Sequence, residues 1–360
     1  MRTRGWIASQ RLVNQRLVKP TLERASEVVA LLGAVQAQDY GSAKWALAQR
    51  TRAATDVEVE REIAEGAIVR THVLRPTWHF VAAVDIGWML ALSAPRVHAA
   101  NAYWYRWLEV DDAVARRSRT VLTKALRDGK RLTRAELGQA LTRARIQITS
   151  PQRLACIVMR AELDGVVCSG ARRGKQFTYG LLEELLPRPR ALARDDALYE
   201  LAKRYFSTRG PATADDFAWW SGLTKTDAKR AAESVGPELE QQTIDGLSYW
   251  FPTPARLAKR KTPVAHLLPN YDEYFIGFRD RGAFAQRLRA AGIEARTDAL
   301  SGHILAIDGQ IVGSWRRTFR GKKAVIRLKL LQALTAAEDR AVVAAASRFA
   351  DFLGMPAQIQ

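Results

Sequence analysis

Cysteine is scarce: the 360-residue chain has two, Cys156 and Cys168. That is too few for a disulfide framework or a cysteine-built zinc site. Cys156 lies in the apolar run Leu154-Ala155-Cys156-Ile157-Val158-Met159 and reads as core. No apolar stretch approaches the length of a membrane span. No signal-peptide core follows the basic start Met1-Arg2-Thr3-Arg4-Gly5-Trp6. These absences predict a cytoplasmic protein. Both common phosphate-cradling glycine loops are missing. The five histidines, His72, His79, His98, His266 and His303, show no metal-ligand spacing within one element. No carboxylate cluster has metal-site spacing, which argues against a nuclease. Neither a metal nor a cofactor is expected.

Acid is the other shortage. There are 37 Asp and Glu against 56 Lys and Arg, giving a net charge of +19 and a pI near 10.3. A surplus of that size predicts attraction to a polyanion, most simply nucleic acid, through phosphate contacts and counterion release. The bland alternative is an Arg-rich, high-GC coding background. A hydrophobic content of 48% supports a folded chain, long enough for several modules.

What is present is a local plan used three times: helices, a strand, a polar turn and a second strand. In the first pass, Ser9 to Leu17, Ala25 to Gln38 and Val57 to Glu65 read as helices. Ile68 to Leu74 then alternates as a strand, Arg75-Pro76 turns, and Thr77 to Val81 returns. In the second, Thr133-Arg134-Ala135-Glu136 is a capping box and Ser150-Pro151 opens a helix to about Leu163. Strands 165–169 and 176–179 flank the basic tip Gly170 to Lys175, whose Arg172, Arg173 and Lys175 suit a wing on a phosphate backbone. The third follows the break Pro187-Arg188-Pro189, with helices from Asp195 to Ser207, from Thr213 and from Thr224 to Val235. A hairpin turns at Asp245-Gly246.

Helix–helix–helix–hairpin is the winged helix-turn-helix plan. The expected fold is therefore α+β: three tandem winged helices and a C-terminal antiparallel β-rich domain. The boundaries are 1–110, 111–190, 191–260 and 261–360, the last with a closing helix from Ala336 to Leu353. Arg316, Arg317, Arg320, Lys322 and Lys323 give that domain a basic face; no acidic residue falls between Gly309 and Ala337.

Gln36 and Gln38, separated by Ala37, close the apolar helix that begins at Ala25. A buried carboxamide without a partner costs roughly 1–3 kcal/mol. Either the protein satisfies these amides, or they sit at an opening and hold water or substrate. Thr77 and His79, two apart on a strand, share a face. That face either lines a cleft with the glutamines or is an exposed strand surface. Asp272-Glu273 suggests either a metal or acid/base site or, the favoured reading, a turn that hydrogen-bonds its own backbone. The aromatic clusters Tyr103-Trp104-Tyr105-Arg106-Trp107 and Trp219-Trp220 read as packing rather than base-stacking platforms, by their helical spacing.

Gly33-Ala34-Val35-Gln36-Ala37-Gln38-Asp39-Tyr40, followed by Ala43-Lys44-Trp45-Ala46-Leu47, resembles the signature of the winged-helix DNA glycosylases of the AlkZ/YcaQ type. Arg70-Thr71-His72 through Thr77-Trp78-His79-Phe80-Val81 resembles that family's next hairpin. Residues 267–281, from Leu267-Leu268-Pro269-Asn270-Tyr271-Asp272-Glu273 onward, resemble its C-terminal signature, and Asp308 to Trp315 the strand after it. The resemblance implies tandem winged helices around double-stranded DNA and removal of alkylated purines, including crosslinked ones. It implies Gln36 and Gln38 as the catalytic glutamine-apolar-glutamine motif, with Asp39, Thr77 and His79 as candidate support. A monomer, cytoplasmic and nucleoid-associated, is expected; a non-catalytic winged-helix regulator is the alternative.

Overall fold

The protein is described from a computed structural model covering residues 3–186, 190–254, 262–292 and 302–360. The break at Pro187-Arg188-Pro189 lies outside the described residues. The chain forms two compact units. One comprises Met1–Glu60, Tyr199–Trp220 and Thr224–Gln360, the other Arg61–Leu198 and Ser221–Leu223. The mixed α+β class expected from sequence is the one observed.

The first unit carries a five-stranded sheet. Its strands run in the order Ala357–Ile359, Lys323–Leu330, Gln310–Arg320, His303–Ile307 and Ala265–Leu268. All neighbours pair antiparallel except the edge pair Lys323–Leu330 and Ala357–Ile359, which is parallel. The turn between His303–Ile307 and Gln310–Arg320 takes Asp308 and Gly309 to φ +48° and +81°, the left-handed pair that a two-residue hairpin requires. A side chain at position 309 would also meet the Tyr274 hydroxyl at 2.6 Å, so glycine is required twice over.

The helix Ala336–Leu353 opens on the capping box Thr335/Glu338 and closes on Gly354 at φ +62°. Its Phe349 and Phe352 meet the Trp45 ring at 5.1 and 5.2 Å, and Phe349 meets Trp315 at 5.3 Å. These aromatics tie the C-terminal helix to the sheet and to the helix Tyr40–Ala48. The hairpin of Glu240–Ile244 and Leu247–Phe251 turns at Asp245-Gly246 as the sequence predicted, again with both residues at positive φ.

The second unit holds two antiparallel pairings. Ile68–Val73 pairs with Arg75–Ala82, and Val167–Arg173 pairs with Gln176–Leu181. Leu132–Thr133 adds to the second as a short further strand. Helices Asp112–Leu126, Arg134–Arg143 and Pro151–Leu163 cover it, built on the caps Asp111, Thr133 and Ser150. Their apolar faces meet at Leu122, Leu137, Leu141 and Ile157, all buried. Each such side chain contributes about 1.5–3 kcal/mol by leaving water. Cys156 is part of this core, as expected.

Three expectations need correction. The first hairpin turns at Leu74, at φ +63°, and Arg75-Pro76 begin its second strand. The helix opened at Ala25 does not reach Gln38; it ends at Leu32. Gly33 takes φ +81°, a conformation that stops a helix, and Asp39 starts a new helix by accepting the Ser42 amide. In the aromatic run at 103–107 only Tyr105 packs against the core. Tyr103, Trp104 and Trp107 are 61%, 49% and 60% exposed on a one-and-a-half-turn helix with no buried residue. Trp220, by contrast, is fully buried.

Candidate active site and nucleic-acid interface

The glutamines sit on the three-residue strand Ala34–Gln36 and the bend that follows it. Gln36 is buried, Ala37 is fully buried and Gln38 is exposed. The pair thus spans the passage from interior to solvent within three residues. The strand ends at Gln36 and the chain bends at Gln38, where it reaches solvent.

The strand is held by a buried ion pair that sequence reasoning did not foresee. Glu273 accepts the Gln36 backbone N–H at 2.9 Å. Its other carboxylate oxygen accepts from Arg209 at 2.7 Å and from the Trp220 indole at 2.8 Å. Arg209 donates in turn to the carbonyls of Leu32 and Ala34, at 2.9 and 3.1 Å. Arg209, Glu273 and Trp220 are all fully buried. One guanidinium and one carboxylate therefore fix both ends of the strand that carries Gln36. The cost of desolvating two charges is offset only because nearly every donor and acceptor has a partner.

The neighbouring Asp272 behaves as the sequence suggested, accepting the Tyr274 amide at 2.8 Å as a local cap. It also takes a bidentate pair from Arg50, at 2.8 and 3.0 Å, which sequence could not reveal. The Asp272-Glu273 dipeptide is thus a structural anchor. The one clue in the sequence was that two adjacent acids stood among aromatics in a strongly basic chain.

Asp39 is committed to the helix it caps. Its two oxygens accept from the amide and the hydroxyl of Ser42, at 3.1 and 2.7 Å. Arg317 reaches the same serine hydroxyl at 3.4 Å. Burial lowers the basicity of Arg317, against the opposing pull of Asp39 and Asp56. The orientation of Arg317 follows from strand alternation: Trp315 is buried, Arg316 exposed, and Arg317 half-buried. Arg316, Arg320, Lys322 and Lys323 remain exposed around the turn at Gly321, beside an exposed Phe319.

His303 lies on the adjoining strand and stacks on Trp315, with centroids 4.7 Å apart. Its Nδ1 accepts the Asn270 N–H at 2.7 Å. Burial first, and the Arg317 charge second, push its pKa down to about 4. The ring is therefore neutral near pH 7, with its proton on Nε2. Spacing along the sequence gave no hint of this placement, because Asn270, His303 and Arg317 come from three separate segments.

Thr77 and His79 belong to the second unit. His79 is fully buried and donates from Nδ1 to the Thr77 carbonyl at 2.9 Å. Its cross-strand neighbour Thr71 is fully buried too, so this is not an exposed strand face. At the expected wing, Gly174 turns the chain at φ +61° and Lys175 is exposed. Arg173 is tied to Glu136 and to the Arg131 carbonyl, both at 2.8 Å, and Arg172 lies 5.5 Å over the Phe177 ring. Among the described residues, no group of three or more His, Cys, Asp or Glu is placed to hold a metal ion. No described helix is long and apolar enough to cross a membrane.

A family model for DNA glycosylase AlkZ-like proteins matches residues 29–352, a span that includes the glutamine strand, the Glu273 anchor and the basic hairpin. The chain belongs to this family. It is accordingly a DNA glycosylase, and its substrate is DNA. An interstrand DNA cross-link repair glycosylase of Streptomyces sahachiroi is 27% identical over 327 residues, 85% of either chain. The solved structure of the Streptomyces sahachiroi DNA glycosylase AlkZ superimposes with a TM-score of 0.79 over all of both chains at 24% identity. The AlkZ-like chain thus shares that fold.

Proposed function

We propose that this AlkZ-like glycosylase hydrolyses the N-glycosidic bond of N7-alkylated purines in double-stranded DNA, including purines joined in interstrand crosslinks. Gln36 and Gln38 hold the attacking water. The observation that carries the reading is the anchored glutamine strand. Gln36 is pinned through its backbone by the Arg209–Glu273 pair, and Gln38 emerges two residues later into solvent. The nearest carboxylate in sequence, Asp39, is engaged by Ser42 and acts as a cap rather than as a base.

The chemistry suits that inventory. A carboxamide takes no proton at neutral pH, so it is a poor catalyst for an unmodified base. An N7-alkylguanine already carries positive charge. When its bond to C1′ breaks, the electron pair neutralises the ring and the base leaves uncharged. Water adds to C1′ and its proton passes to solvent, leaving an abasic deoxyribose. Two oriented carboxamide oxygens supply position and dipole to the cationic sugar as it develops. His303, neutral beside Asn270, and Arg317, at Ser42, shape the polar surroundings without supplying a strong base.

The exposed cations Arg316, Arg320, Lys322 and Lys323 at the C-terminal hairpin, with Arg172, Arg173 and Lys175 at the second wing, are the phosphate-contacting set. Arg317 serves the site through Ser42. Thr77 and His79 support the hairpin on which they lie. Three winged helices within 1–110, 111–190 and 191–260, followed by the β-rich segment 261–360, describe the chain as a DNA-binding array. It works as a cytoplasmic, nucleoid-associated monomer. The relative named for cross-link repair favours crosslinked purines among the substrates.

Duplexes carrying a single N7-methylguanine or a purine–purine crosslink, treated with the purified protein and then with alkali, report abasic sites as strand breaks. Breaks at the lesion, together with free base in the supernatant, are expected without added metal. Intact strands on both substrates would exclude the proposed lesion class.

A further inference from the structure

A cavity of about 420 Å³ opens entirely within the second unit, remote in sequence from the glutamine strand. Arg70, Trp78, Arg134, Lys175, Phe177 and Tyr179 line it, and among the described residues no acidic one does. Arg70 is 5% exposed, and its guanidinium lies 4.4 Å from the centre of the Trp78 ring and 4.6 Å from that of Phe177. Arg134 lies 5.6 Å over the same Trp78 ring and donates to the Tyr179 hydroxyl at 3.2 Å. Lys175 is exposed at the rim. The nearby carboxylate of Glu136 is occupied by its own capping box and by Arg173. Volume and lining are those of a small-molecule site rather than of a packing defect.

Three cations and three aromatic rings around one cavity select a ligand that is both anionic and flat. Aromatic faces accept any nucleobase by stacking, and the guanidinium and ammonium groups match a phosphate. We propose that this cavity is a subsite for one nucleotide unit, its base against Phe177 and its phosphate against Arg134 and Lys175. Arg70 packs on both rings, and the His72 ring packs on Trp78 at 4.4 Å, so Trp78 is a wall that is already covered. The occupant is a nucleotide of a DNA strand or a free nucleotide; the recognition chemistry is shared.

The test is equilibrium binding by calorimetry at fixed salt, with three probes: dTMP, the 5′-phosphorylated pentanucleotide p(dT)5, and 2-deoxyribose 5-phosphate. No lesion or base excision is involved, so the outcome is independent of the proposed glycosylase mechanism. A strand subsite predicts binding of p(dT)5 well above dTMP, and a free-nucleotide subsite predicts comparable binding of both. In either case 2-deoxyribose 5-phosphate binds roughly tenfold more weakly than dTMP, for want of stacking.

Arg134→Glu with Lys175→Glu should weaken p(dT)5 by at least roughly tenfold, and Phe177→Ala should remove the preference for a base. Arg116→Glu with Lys124→Glu makes the same charge change on exposed residues of the helix Asp112–Leu126 and should cost far less. An unchanged melting temperature in the first double variant excludes misfolding. Equal losses in the two double variants, equal binding of sugar phosphate and nucleotide, or no binding of any probe overturns the proposal.

Discussion

Glu273→Gln tests how the glutamine strand is held. The substitution keeps the shape of the side chain and removes its charge, leaving Arg209 buried opposite a neutral amide. Glu273 and Arg209 are fully buried, 2.7 Å apart, and share their hydrogen bonds with Gln36 and Trp220. Removing one partner of such a pair costs about 3–5 kcal/mol. Against a typical total of about 5–15 kcal/mol, that is a large part of the stability of the fold. Trp220→Phe removes one hydrogen bond to the same carboxylate, about 1.5–3 kcal/mol, and adds the cost of the space left by the larger ring.

The assay is urea unfolding followed by far-ultraviolet circular dichroism, paired with single-turnover excision at a temperature where both variants are folded. Glu273→Gln should slow excision while leaving DNA affinity unchanged, because the carboxylate reaches the glutamines only through backbone. A destabilisation below about 1 kcal/mol, with normal excision, would refute the idea that a charged clamp fixes the strand.

Acid should act in two windows. His303 has its pKa depressed from 6.5 to about 4, so the unfolded chain binds the extra proton first. Stability therefore falls as pH drops from about 6.5 to about 4, and His303→Asn should blunt that fall in thermal melts. Glu136 is depressed from 4.5 to about 2, by the Thr133 amide first and by Arg173 second. Its capping contribution is complete above about 4.5 and is lost towards pH 2; Glu136→Gln should flatten the melts there. Replacing Arg316, Arg320, Lys322 and Lys323 by Ala should lower the slope of log affinity against log salt by roughly 0.9 for each phosphate no longer neutralised. Little change in slope would remove the hairpin from the DNA interface. Phe319→Ser at the same tip should reduce duplex affinity without changing that slope, because the side chain carries no charge.

Much of this architecture was legible where local chemistry decides structure. Asp245-Gly246 makes the expected hairpin, and Asp308-Gly309 makes another, because few other dipeptides tolerate two positive φ values. Thr133/Glu136 and Ser150-Pro151 start helices where the caps predicted. The glutamine segment is the counter-example: its apolar residues fit a helical period, yet it forms a strand and a bend. Gly33 in a left-handed conformation and the Asp39 cap override that periodicity within seven residues.

The supports of the site were not legible. Arg209, Trp220 and Glu273 stand far from Gln36 in sequence, and only the fold brings them to one strand. The exposed aromatics at 103–107 show the same limit from the other side. Their spacing permits burial, but among the described residues only Tyr105 packs against the core, while Tyr103, Trp104 and Trp107 stay exposed.

Hydrolysis by Gln36 and Gln38 without a strong base is the step on which the proposed mechanism stands or falls. It is measured as single-turnover release of N7-methylguanine from a duplex, by the parent protein and by the Gln36→Ala/Gln38→Ala double variant. Duplex affinity is measured on the same preparations. Release should be abolished while affinity stays within about threefold, since neither glutamine is a charged phosphate contact. Undiminished release by the double variant would contradict the mechanism.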